Sequence, residues 1–415
     1  MSERQAKPTW DQILNRRQAI GGVGVAGLLL LSACTTGKPK NLANASGKLA
    51  AGAKIPSKQA AAAAQITIAI PDGSTDVSPA TPLTVSVVGG TITGVKVTDA
   101  NGAVINGAPD ATAANWANTD PLVFGANYSV FATASNADGK SENKTASFTT
   151  VTPASLVYPG IGPLDGTTLG VGIPVRVYFD HPATDRKTVE QALKVTTTPA
   201  QTGSWNWISD TEVHWRPQVY FLAGTTVSIE TNIFGVAFGR GVFGKVNRTV
   251  NFAVGDAVVS KADTQSHQMQ VFKNGTLLRT IPISAGEEVP GKYTHNGVHV
   301  INDKFAELTM DSSTFGLALD APGGYTAKVQ WATRMSNNGE FVHSAPWSLA
   351  QQGNSNVSHG CLNASPANAE WFYNLSTPGD IVEVSGSPIP LTQADGDIYD
   401  WTIPWATWQQ GTAIK

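Results

Sequence analysis

The chain is predicted to be mainly β and divided into several small domains in series, on three observations. Charged residues make up 14% of the 415, while 41 Gly and 24 Pro are present, a balance that suits turn-rich sheet structure rather than helical bundles. Short segments alternate apolar and polar residues and are separated by turn chemistry. The length exceeds what one hydrophobic core usually organises. The net charge of -3 is spread without long like-charge runs and leaves no footprint for nucleic acid.

Residues 1–33 read as an address. Arg4, Lys7, Arg16 and Arg17 precede an apolar stretch over 19–31, too short to span a bilayer comfortably and typical of a signal peptide. The Arg16-Arg17 pair resembles a twin-arginine signal, with Ala19 where an aromatic residue usually stands. Leu31-Ser32-Ala33-Cys34 resembles a bacterial lipobox, which implies lipidation at Cys34, export, and anchoring on the outer face of the cell membrane. An ordinary cleavage site is the alternative. Residues 34–64 are Lys, Ala, Gly, Ser and Pro with almost no large apolar side chains, so they are expected to form a flexible tether.

Residues 65–152 and 153–254 are expected to form two antiparallel sandwiches. In the first, 66–70, 83–87 and 94–97 alternate in polarity; in the second, 174–179, 213–215 and 226–229 are the clearest strands. Strand spacing makes both resemble bacterial Ig-like modules, without the Cys, Trp, Cys hallmark of antibody domains. His181 and His214 stand alone, with no metal-ligand spacing, and are read as structural or surface groups. Trp205, Trp207 and Trp215 flank a hairpin and are read as core or interdomain packing.

Residues 255–385 form the third unit, opening with a hairpin whose turn is Asn274-Gly275. In the extension 386–415, Trp401, Trp405 and Trp408 fall within eight residues. Leaving them in water is costly, so the extension is expected to pack back on the protein; a substrate platform is the alternative.

The chemistry centres on Ser358-His359-Gly360-Cys361-Leu362-Asn363, with His343 upstream. A thiol attacks carbonyls as thiolate, and a nearby imidazole or a fan of backbone N–H groups lowers its pKa. Fourteen residues separate His343 from Ser358, enough to leave one strand and return on the next. Cys361 is therefore the candidate nucleophile and His343 the candidate base. Gly360 leaves room for the N–H groups of His359, Gly360 and Cys361 to meet a developing oxyanion. His359, next to the nucleophile in sequence, is expected on the opposite face as a structural or tuning group. The only nearby carboxylate is Glu340.

The pattern His-x14-Ser-His-Gly-Cys-x-Asn, preceded by Lys292-Tyr293-Thr294-His295-Asn296-Gly297, resembles the signature of the L,D-transpeptidase catalytic domain of the mycobacterial type. The resemblance extends over the lipidated start, both Ig-like modules and the Trp-rich extension. It implies an acyltransferase without cofactor or metal that acts on peptidoglycan stem peptides. Cys361 takes the acyl group from a tetrapeptide donor, D-alanine leaves, and the side-chain amine of a second stem accepts it, giving a cross-link between third-position residues. It also implies acylation of Cys361 by carbapenems. The carbonyl of Ser344 is then the partner of His343. Tyr325, Asn338, Gly339, Ser358 and Asn363 map onto substrate contacts, and Met310 and Trp347 onto the donor pocket and lid. That lid lies between Leu308 and Tyr325, with Gly316, Gly323 and Gly324 as hinges. A calcium site known in some members is not carried over, because 234–240 contains no acid.

Three rivals stay open. An L,D-carboxypeptidase uses water in place of the amine, and a non-catalytic wall-binding lipoprotein uses only the modules. A zinc hydrolase would use the histidines, although His295 and His299, read on one strand, lie about 13 Å apart, too far for one ion.

Overall fold

The computed structural model describes residues 59–315, 318–321, 324–396 and 398–415. The signal peptide, Cys34 and most of the expected tether lie outside the described residues. Residues 60–415 form a single unit. Among the described residues no helix is long and apolar enough to cross a membrane.

The first sandwich runs from strand Gln65–Ile68 to strand Ser141–Thr150, in a four-stranded and a five-stranded sheet. The strand Asn127–Asn136 alternates buried and exposed positions along its length, and Tyr128 and Val130 from it meet Leu83, Val85, Trp116 and Phe148 in the core. The end of the expected tether is not free. Asn136 Nδ2 donates to the carbonyls of Ala61 and Ala62, Ala61 N–H donates to Asp138, and Ala64 is buried beside Val87 and Ala134. Small side chains allow this backbone to lie flat against the sheet.

The second module spans strands Ser155–Val157 to Arg248–Val254 in three small sheets. Trp205 pairs with Trp215 across neighbouring strands, and Trp207 stacks on Phe179. All three tryptophans are in the core. That core does not stop at residue 254: it runs on into Val300 and Ile381 of the third unit and Ile398 of the extension. At the seam, Gly170 N–H donates to Pro378 and Gly172 N–H to Gly379. A Cβ on Gly170 would stand 2.2 Å from the Asp380 nitrogen, so this approach requires glycine.

In the third unit a five-stranded sheet carries Val258–Asp263 and Ile381–Ser385 side by side, and a four-stranded sheet carries Lys304–Asp311, Thr326–Arg334, Phe341–Ser344 and Leu362–Ala364. Asn274 and Gly275 both have positive φ, as a tight hairpin turn demands. The helix Pro366–Leu375, capped by Ser365, buries Ala369 and Phe372 against Val342 and Leu362. This fixes the strand pair that matters. Phe341–Ser344 and Leu362–Ala364 run parallel, with His343 opposite Asn363.

The extension docks on the second module. Arg216 lies over Trp401, Trp405 and Trp408 at 4.7, 5.3 and 4.6 Å from the ring centres, and donates to the Ile403 carbonyl. Trp401 and Trp408 donate their ring N–H groups to the carbonyls of Gly172 and Ser204. His214 is sealed between Asp400, at 3.0 Å, and Glu212, at 2.7 Å. The two carboxylates and their hydrogen bonds outweigh the cost of burial and raise this histidine to about 9, so it carries a positive charge.

Candidate active site

Cys361 is held by a short loop rather than by a strand. Gly360 adopts φ +123, which disfavours any side chain at that position. Ser358 Oγ accepts the Gly360 N–H at 3.1 Å and donates to the Cys361 carbonyl at 2.6 Å, and Thr294 Oγ1 donates to the Gly360 carbonyl at 2.8 Å. One of the three amides expected to face an oxyanion is thus already taken. The thiol itself, 5% exposed, donates to the Gly339 carbonyl at 3.5 Å.

His343 comes from the adjacent strand and is 3% exposed. Its Nδ1 lies 2.9 Å from the Ser344 carbonyl, which only accepts, so the ring proton sits on Nδ1 and Nε2 carries the free lone pair. Both residues line one cavity of about 250 Å³, together with Met310, Tyr325, Trp347, Ser358, His359 and Asn363. Ala327, Val329 and Val357 complete its walls; apolar residues of this kind carry no chemical signal in a sequence. Trp347 is largely exposed, with its ring 6.0 Å from that of His343, while Met310 is buried. Asn363 Nδ2 donates to Ser348. A second cleft, of about 630 Å³, is lined by Glu307, Lys328 and Pro346 among others, and shares Val329 and Trp347 with the first.

The titration of the pair departs from the expectation of a lowered thiol. Burial pushes Cys361 up to about 12, with a backbone hydrogen bond from Phe341 only partly opposing it. Burial also pushes His343 down to about 4, against the pull of the Ser344 carbonyl. The resting pair is a neutral thiol and a neutral imidazole on one cavity, because burial disfavours the charged form of each.

Other placements differ from the sequence reading. His359 shares the cavity with Cys361 instead of facing away, and its ring packs 4.8 Å from that of Tyr325. Strand alternation does not govern it, since the strand starts only at Leu362. Asn338 is drawn from the cavity: it accepts from Ser336, and its Nδ2 lies 3.1 Å from His295 Nδ1. The Gly339 carbonyl accepts a hydrogen bond from the Cys361 thiol. Of the expected hinges, Gly316 and Gly323 lie outside the described residues. Gly324 packs so tightly that a Cβ would sit 2.3 Å from the Ala318 carbonyl, a close approach rather than a free joint.

His295 and His299 do not lie far apart on one strand. The strand Gly297–Val300 begins after His295, and both rings turn to Glu340, at 2.9 and 3.6 Å. Among the described residues no group of three or more His, Cys, Asp or Glu is arranged to hold a metal ion.

A buried cysteine and a tautomer-fixed histidine on one cavity, at the four-stranded sheet and the loops beside it, define a site suited to acyl transfer. The sequence profile of the L,D-transpeptidase catalytic domain, YkuD, matches residues 257–384, and that of a bacterial Ig domain, Big_10, matches residues 74–237. The chain belongs to the L,D-transpeptidase family and is a transpeptidase, an acyltransferase. It is 37% identical to L,D-transpeptidase 2 of Mycobacterium tuberculosis over 349 residues, 84% of this chain and 85% of that protein. L,D-transpeptidase 5 of the same species is 37% identical over 366 residues, 87% of this chain and 80% of that protein. Among solved structures, an L,D-transpeptidase in complex with imipenem is similar at 37% identity and a TM-score of 0.49, over 56% of this chain and 100% of that one. An L,D-transpeptidase from Mycobacterium smegmatis is similar at 34% identity and a TM-score of 0.46, over 55% and 98%.

Proposed function

We propose that the chain cross-links peptidoglycan by a two-step acyl transfer on Cys361, exported and anchored to the membrane through a lipid on Cys34. The observation that carries the reading is the shared cavity of Cys361 and His343, with the imidazole held so that Nε2 is the basic nitrogen.

Because both groups rest neutral, the thiolate forms only as attack proceeds. The Sγ proton passes to His343 Nε2 while the C–S bond forms at the carbonyl of the third-position residue of the donor stem. The resulting imidazolium returns that proton to the amine of D-alanine as the C–N bond breaks, leaving a thioester. The side-chain amine of a second stem then attacks, Nε2 takes its proton, and the sulfur leaves and is reprotonated. With the Gly360 N–H engaged, the amides of His359 and Cys361 remain to stabilise the oxyanion. A carbapenem would be opened by the same attack and remain on Cys361.

The test is incubation of the purified protein with a tetrapeptide donor and an amine acceptor, with the products weighed. Free D-alanine and a cross-linked dimer are expected. Release of a tripeptide without dimer would favour the carboxypeptidase reading, in which water takes the place of the amine. Absence of any product, with the protein folded, would overturn both.

A further inference from the structure

Behind the nucleophile lies a polar cluster that the mechanism above does not use. Glu340, 3% exposed, sits between Gly339, whose carbonyl accepts a hydrogen bond from the thiol, and Phe341, whose N–H faces the sulfur. Its Oε1 accepts the His295 backbone N–H at 2.7 Å and lies 2.9 Å from His295 Nδ1, and its Oε2 lies 3.0 Å from Ser336 Oγ, whose one proton Asn338 shares. These contacts close the turn 336–340 on itself. A Cβ on Gly360 would stand 3.6 Å from Glu340 Cγ, so the carboxylate side chain also backs the loop that presents Cys361. From the extension, Asp395 lies 3.4 Å from His295 Nε2, and its carbonyl accepts the Asn338 N–H at 3.0 Å.

We infer that Glu340, neutralised by His295, is a positioning residue that fixes the Gly339 carbonyl against the thiol and sets the charge behind the sulfur. The inference rests on Cys361 being the nucleophile. The titratable groups facing the pair are His299, Asp395 and Cys361. The hydrogen bond to Glu340 is the largest influence raising His295, opposed by burial and helped by the charges of Glu340 and Asp395. The Glu340 charge in turn adds to the burial that raises Cys361. A protonated His295 cancels that charge; an uncharged residue in its place leaves it unopposed.

The experiment is the rate at which iodoacetamide alkylates Cys361 at pH 7 in the full chain, read by peptide mass mapping so that Cys34 is counted separately, with melting curves beside it. Glu340→Gln is expected to speed alkylation about threefold, a fall of about half a unit in the thiol pKa, and His295→Asn to slow it by a similar factor. A merely structural role would loosen the loop in both variants and move both rates the same way. Rates that move together, or neither moving, overturn the inference. If Glu340→Gln does not fold, His295→Asn decides alone: slower alkylation supports the inference, and an unchanged or faster rate refutes it. No peptide substrate is involved, so opposite shifts in a protein that makes no cross-link would count against the proposed function and not against this inference.

Discussion

Two histidines, both buried, are set in opposite states by their neighbours. His343, bonded to a carbonyl and buried, is held at about 4 and stays neutral; His214, between Asp400 and Glu212, is raised to about 9 and stays charged. Burial alone pushes both the same way. What differs is the counter-charge, which the seam with the extension supplies and which, among the described residues, is not bonded to His343. A neutral imidazole keeps a lone pair for taking a proton. A charged one serves as a clamp, and here it ties the extension to the second module.

The comparison breaks most sharply at Cys361, the proposed nucleophile. Cys361→Ala is expected to abolish both peptide acylation and the covalent adduct with a carbapenem, while the melting curve stays close to that of the parent. His343→Ala should lower the acylation rate by roughly 10²–10⁴-fold, the usual worth of a positioned base, again with little change in melting. At the clamp the pattern should invert. Asp400→Asn leaves a buried histidine without its main counter-charge and is expected to cost about 3 kcal/mol in unfolding experiments, with turnover of the folded fraction retained. Loss of turnover without loss of stability in that variant would show that the extension does more than brace the fold.

The same contrast gives opposite pH limbs. The folded pKa of His214 is raised above the unfolded 6.5, so its contribution is fully present below that value and is lost as pH rises through about 9. The folded pKa of His343 is depressed, so its contribution is present above 6.5 and is lost as pH falls through about 4. Thermal melts of His214→Gln should therefore lose the alkaline decline and keep the acid one. The smallest effect is expected at His359, which touches the cavity without bonding to the sulfur: His359→Ala should reduce acylation less than His343→Ala. The reverse ranking would mean that the base has been assigned to the wrong ring.

The meeting of Cys361 and His343 on one cavity was legible because its signal is one of residue type and spacing: fourteen intervening residues suit a return to the neighbouring strand, and the register places His343 beside Asn363. The tryptophans of the extension were legible as area too apolar to leave in water, but their partner Arg216, on a distant strand, was not. The side on which His359 falls was misread because alternation holds only within a strand, and this residue precedes one. The meeting of His295 and His299 on Glu340 depends on the chain turning at Gly297, with φ +143, ahead of its strand. The titration of Cys361 depends on burial, which only the packed domain displays.

The most direct measurement is a short incubation with tetrapeptide donor and no acceptor, followed by intact-mass analysis and peptide mapping. The account predicts a single adduct with the mass of the donor less D-alanine, on the peptide that contains Cys361. An adduct on any other residue, or D-alanine release that persists in Cys361→Ala, would contradict it.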